Sequence, residues 1–163
     1  MIPVYNEGEN VVATLRGVVE RTHARPLEVL VVHDFDEDTT VPVVKRLQAE
    51  MPQLRLHRNT LGRGVLNAMK SGLRAARAPY VLVTMGDGSD NPDDIDPMYE
   101  LALGGADVVA GSRYMRGGRQ LGGPLHKRSC PARRAYRCTG SAVFRCTMRP
   151  AIFGCTRSGC STR

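Results

Sequence analysis

Apolar residues fall into two rhythms along the first two thirds of the chain. Short β-rich runs occur at Ile2 to Val4, Leu27 to His33, Leu54 to His57, Tyr80 to Met85 and Asp107 to Gly111. Between them, Val11, Val12, Leu15, Val18 and Val19 repeat at helical spacing, as do Val65, Leu66, Met69 and Leu73. Strands alternating with helices predict an α/β fold with a mainly parallel sheet. Val29 to Val32 and Tyr80 to Val83 are continuous apolar runs, the pattern of strands covered by helices on both faces. Asn91-Pro92 reads as an N-cap followed by proline at the first helical position. Asp93 and Asp94 lie at the positive end of that helix's dipole, and the helix should continue towards Leu103.

The rhythm stops near residue 111. Tyr114 to Pro124 is rich in glycine and arginine and predicts a loop or hinge, and no period emerges after it. Charge divides at the same place. Residues 1–123 hold 14 Lys+Arg and 16 Asp+Glu, whereas residues 124–163 hold the other 9 Lys+Arg and no acid. The net charge of +7 therefore belongs wholly to the tail. Cys130, Cys138, Cys146, Cys155 and Cys160 also lie there, without the close pairs that a zinc ribbon needs, and in an odd number that suits a disulfide framework poorly. The chain thus divides into a first domain, 1–123, and a basic Cys/Arg-rich tail, 124–163, disordered or frameshifted. No apolar run is long enough to span a bilayer, and no basic start followed by an apolar stretch marks a signal peptide. The expectation is a cytoplasmic protein with peripheral membrane contact.

Chemistry concentrates where strands end, which is where open parallel sheets bind nucleotides. Three polar clusters fall there: Pro3-Val4-Tyr5-Asn6-Glu7, the run from His33 to Thr40, and Met85-Gly86-Asp87-Gly88-Ser89-Asp90. Acids after strands commonly cap helices, but three clusters in register go beyond capping. A fourth block, Asn59-x-x-Gly62-Arg63-Gly64-x-x-Asn67, places glycines where a helix begins, allowing close backbone approach to a ligand.

The blocks IPVYNEGEN, VVHDFDEDTT, NTLGRGVLNAMKSGL, VLVTMGDGSDNPDDI and ADVVAGSRYMRGG resemble, in order and spacing, those of family-two glycosyltransferases, especially the dolichyl-phosphate (polyprenyl-phosphate) mannosyl- and glucosyltransferases. The resemblance covers about residues 1–123. It implies a GT-A fold, a Rossmann-like mainly parallel sheet flanked by helices, with an irregular C-terminal tail. It implies inverting transfer of a sugar from GDP-mannose or UDP-glucose to a polyprenyl phosphate, with Mg2+ or Mn2+ as cofactor.

Carried over residue by residue, the donor-binding positions are Pro3, Tyr5, Glu7, Asp34, Gly62, Gly64 and Asp87. Glu7 and Asp34, the latter at the second position of a D-D-G-S-like block, hold base and ribose; Asp38 caps its helix. Asp87 matches the metal-binding aspartate of a D-x-D motif, with Met85 where the first aspartate is usual. The metal is then held by Asp87, Ser89, donor phosphate and water, which Mg2+ tolerates because it keeps several waters. Arg113, in Gly111-Ser112-Arg113-Tyr114, is the acceptor-phosphate ligand and, with Asp87, the catalytic pair; Ser112, Arg116 and Arg119 assist it. A lipid phosphate is already anionic, so no strong general base is required. His23, His33, His57 and His126 receive no catalytic role.

Alternatives stay open. The tail's arginines with Tyr136 and Phe144 make a nucleic-acid-binding arm the second reading, although no recognisable module is present and specific binding is not expected. A Rossmann-type enzyme lacks its G-x-G-x-x-G after the first strand. A donor-binding fragment without activity is the last. The tail also admits an unusual origin. Reverse-translated with suitable synonymous codons and read one base earlier, Arg128 to Thr156 gives LLSRPAGLSLHWFGGFPVHDATRNFRLY, which resembles the family's continuation. On that reading the tail is frameshifted and the acceptor half is absent.

Overall fold

The computed structural model describes residues 1–112 and the backbone of a strand at 142–145. Strands β1 (Ile2–Pro3), β2 (Val29–His33) and β3 (Leu54–Arg58) form a parallel sheet in the order β1-β2-β3. Helices α1 (Val11–Arg21), α2 (Thr40–Leu47) and α3 (Val65–Ala75) follow them in turn. Strands β4 (Tyr80–Val83), β5 (Val108–Ala110) and β6 (Ala142–Arg145) form a second ladder in the order β4-β6-β5, with β6 antiparallel to both neighbours. Helix α4 (Ile95–Leu103) lies between β4 and β5 in sequence.

The two ladders meet at Met1. Its amino group donates to the Leu82 carbonyl at 2.7 Å, and Thr84 N–H donates to the Met1 carbonyl at 3.1 Å. These bonds align β1 and β4, so the strands run β3-β2-β1-β4-β6-β5 across the molecule.

The strict alternation of side chains along β2 explains its unbroken apolar run. Val29 and Val31 pack with Ile2, Val4 and the helical residues Val11, Leu15, Val18, Val43, Val44 and Leu47. Leu30 and Val32 pack on the opposite face with Met1, Ala68, Val81 and Val83. Helix α3 lies so close there that a Cβ on Gly72 would sit 2.9 Å from Val32 Cγ2. Strand β4 departs from the expectation of two covered faces. Val81 and Val83 are buried, but Tyr80 and Leu82 are only half-buried against Met98 and Ala102, because the short α4 covers less of that face.

Asn91 caps as its residue type predicts: its side chain accepts the Asp93 N–H at 3.3 Å, and Pro92 opens a 3-10 turn, Pro92–Asp94, leading into α4. The strand β6 was not legible in the sequence. It lies within the basic tail, and four residues are too few to display a period. The rest of the tail, with the Tyr114 to Pro124 loop, the five cysteines, Tyr136 and His126, lies outside the described residues.

Candidate nucleotide-sugar site

The chain leaves β1 at Pro3, and within three residues the backbone turns sharply. Asn6 adopts a left-handed conformation, φ 53°, which asparagine tolerates better than most side chains. The turn is held from across the sheet. Asn6 N–H donates to Asp38 Oδ2 at 3.0 Å, Glu7 N–H to Thr40 Oγ1 at 3.0 Å, and Thr39 N–H to Asn6 Oδ1 at 3.3 Å. Asp38 Oδ1 accepts the Thr40 N–H at 2.8 Å at the start of α2. Asp38 is fully buried and caps its helix, as the sequence suggests, while also fastening the Glu7 loop.

Asp34, at the end of β2, faces the β3–α3 connection. Its Oδ1 accepts from Asn59 Nδ2 at 2.7 Å and its Oδ2 from Gly64 N–H at 2.8 Å. Asn59 Nδ2 also donates to the Gly62 carbonyl, and Asn59 Oδ1 accepts the Leu61 N–H. Gly62 and Gly64 have φ of +94° and +121°, conformations that other residues adopt only with strain. They shape the loop as the block's glycines imply. The Gly64 N–H, however, is occupied by Asp34. Each Asp34 oxygen keeps a second lone pair for another donor.

The loop after β4 carries Asp87 and Ser89. Asp87 Oδ1 accepts the Ser89 N–H at 3.0 Å, and both residues are exposed. Asp90 differs: its Oδ2 accepts Thr84 Oγ1–H at 2.8 Å and Met85 N–H at 3.2 Å, bracing the loop from below. Gly86 is wedged against the first loop, since a Cβ there would lie 3.2 Å from Val4 Cγ1 and 3.5 Å from Glu7 Cγ. Its carbonyl accepts Thr14 Oγ1–H from α1 at 3.1 Å. Glu7 therefore lies directly beside the Asp87 loop.

Tyr5 is 63% exposed and meets Phe35 edge to face, with ring centroids 5.6 Å apart. The Arg63 guanidinium carbon lies 5.0 Å from the Phe35 centroid. This chain of contacts joins the loops after β1, β2 and β3, and no spacing rule in the sequence announces it. Ser112 is the last described residue of its segment. Arg113, Arg116 and Arg119 lie outside the described residues.

A metal would have to be held with little help from the protein. Among the described residues no group of three or more His, Cys, Asp or Glu side chains could hold one. One carboxylate is on offer: Asp87 Oδ2 makes no hydrogen bond among them, and Oδ1 keeps a lone pair beside the one that takes the Ser89 N–H. That fits an ion bound mainly by water and ligand phosphate, as Mg2+ commonly is.

Residues 1–156 match the sequence profile of glycosyl transferase family 2. The chain belongs to that family. Among its family-2 relatives it is 37% identical over 126 residues to the polyprenol monophosphomannose synthase of Mycolicibacterium smegmatis, covering 72% of this chain and 45% of that protein. It is 35% identical over 133 residues to the undecaprenyl-phosphate mannosyltransferase of Micrococcus luteus, covering 78% and 53%. The chain thus spans about half the length of these family-2 proteins. Among solved structures, a mannosyltransferase from Pyrobaculum calidifontis in complex with GDP-Man and Mn2+ superposes with a TM-score of 0.62 at 21% identity, covering 88% of this chain and 43% of that one. The shared architecture is the GT-A fold. Among the described residues, no helix of this family-2 chain is long and apolar enough to cross a membrane.

Proposed function

We propose that this chain is the donor half of a hexosyltransferase that moves mannose from GDP-mannose to a polyprenyl phosphate. The observation that carries the reading is the convergence of Glu7, Asp34 and Asp87 on loops that touch one another at the carboxyl ends of the strands. The names of the two relatives and the GDP-Man complex of the solved mannosyltransferase support the choice of donor.

On this reading Glu7 and Asp34 accept hydrogen bonds from base and ribose, with Pro3 and Tyr5 shaping the wall and Gly62 and Gly64 giving the backbone its close approach. Asp87, with Ser89 beside it, would hold Mg2+ or Mn2+. A divalent ion held there would supply positive charge to stabilise the leaving nucleoside diphosphate. Arg113 is the acceptor-phosphate ligand, its fork suited to phosphate, with Ser112, Arg116 and Arg119 assisting. An acceptor oxygen then attacks the anomeric carbon from the side opposite the leaving group, and configuration inverts. The acceptor sits at a membrane surface, which the protein meets from the cytoplasmic side.

Calorimetry with GDP-mannose and UDP-glucose, each with and without Mg2+, tests the donor reading. Binding of GDP-mannose that tightens with Mg2+ is expected; no binding of either sugar nucleotide would overturn it. Arg113→Ala should impair use of a lipid phosphate while leaving that binding unchanged.

A further inference from the structure

The donor reading leaves unexplained how the base is told apart, and the contact between Phe35 and Arg63 bears on that question. Phe35 follows Asp34 directly and stands at the third position of the D-D-G-S-like block, where that pattern has no side chain. Its half-buried ring is braced by Tyr5 at 5.6 Å between centroids. Arg63 reaches over the ring from the β3–α3 loop, with its guanidinium carbon 5.0 Å from the centroid. The glycines on both sides of Arg63 have positive φ, and Gly64 is tied to Asp34 Oδ2 at 2.8 Å. The base of Arg63 is thereby fixed to the carboxylate proposed to hold the nucleoside. Arg63 forms no ion pair among the described residues, so its N–H groups are not committed to a carboxylate.

An arginine fork matches two adjacent acceptors. Guanine offers O6 and N7 side by side, whereas uracil pairs a lone carbonyl with an N–H donor on one side and a C–H on the other. We propose that Arg63 is a base-specificity residue that reads the O6/N7 edge of guanine, and that Phe35 is the positioning residue holding its guanidinium beside the nucleoside. The inference rests on the donor reading. It also places the selection of guanine over uracil in a contact between two loops, beside the Asp34 carboxylate proposed to hold the nucleoside.

The test compares GDP and UDP binding, with Mg2+, to the wild-type chain and to Arg63→Ala, Arg63→Lys and Phe35→Gly, with thermal unfolding of each variant without nucleotide. Wild type should prefer GDP. Arg63→Ala should weaken GDP about tenfold and leave UDP nearly unchanged, the size expected for one lost bidentate base contact. Lysine should recover little, because it lacks the fork. Phe35→Gly should lower the GDP/UDP ratio in the same direction, through Arg63. A preference for UDP, or a GDP/UDP ratio unchanged in Arg63→Ala, overturns the inference while the donor site stands. Binding of neither nucleotide by wild type removes the donor reading and this inference together.

Discussion

Asp38 holds Asn6 across 32 residues of chain: the Asn6 N–H meets Asp38 Oδ2 at 3.0 Å while Oδ1 caps α2 through Thr40. One buried carboxylate thus fixes both the first candidate loop and the second helix. Asp38→Ala should leave two backbone donors without their acceptor and cost about 2–4 kcal/mol in urea unfolding. Asp36→Ala, which breaks only an exposed pair with Arg58 at 2.7 Å, should cost less than about 1 kcal/mol. Equal losses in the two variants would show that the turn does not depend on Asp38.

Asp87 and Asp90 lie three positions apart and should respond differently. Asp87→Ala is expected to remove the Mg2+-dependent part of donor affinity while barely changing stability, since its one protein bond is to an exposed N–H. Asp90→Ala should retain most of that affinity but lose about 1–2 kcal/mol of stability, because Thr84 and Met85 lose their acceptor. Titrations with and without Mg2+, paired with denaturation, separate the two. Retention of full metal-dependent affinity in Asp87→Ala would remove that residue from the site.

His57 should set an acid limit. Its Nε2 lies 2.9 Å from Ser71 Oγ, and burial, followed by the charges of Arg55 and His33, holds its pKa below the ordinary 6.5. The unfolded chain therefore takes up this proton before the folded one does. Stability is expected to fall as pH drops through 6.5 and to level off below the folded value. Urea unfolding at about pH 7.5 and about pH 5.5 should show a smaller drop for His57→Gln than for wild type. Identical drops would mean that other groups govern the acid limb.

Helices α1 and α3 were legible because each carries its own period, and β2 displays both faces of the core in one run; α2 was implied only through the Asp38 cap, and α4 through Asn91-Pro92. The Asn91 cap and the Asp38 cap follow from residue type and position. Hidden in the sequence were contacts between loops distant along the chain. Asn59 on Asp34, Gly86 beneath Glu7, and Arg63 over Phe35 depend on how strand ends are brought together, which no local pattern encodes. Strand β6 stayed hidden for a different reason: it sits in a basic segment whose four paired residues show no alternation.

The composition of that segment leads to a test outside protein chemistry. No acid follows Asp107, every cysteine lies from Cys130 onward, and the shifted reading of Arg128 to Thr156 yields a block resembling the family's continuation. Reading the coding DNA is expected to reveal an HDAT-like block one base earlier. Its absence from every alternative frame would mean that the tail is a sequence in its own right.

Strand β6 also constrains the order of assembly. It bonds to β4 on one side and β5 on the other, so the second ladder cannot form until a segment 32 residues beyond Ala110 has arrived. Such distant pairing forms slowly, and until it does β4 and β5 present bare hydrogen-bonding edges to any neighbouring chain. A chain cut shortly before Ala142 would carry those edges permanently. Self-association during synthesis would then threaten it more than loss of the Glu7, Asp34 and Asp87 loops, none of which belongs to the missing strand.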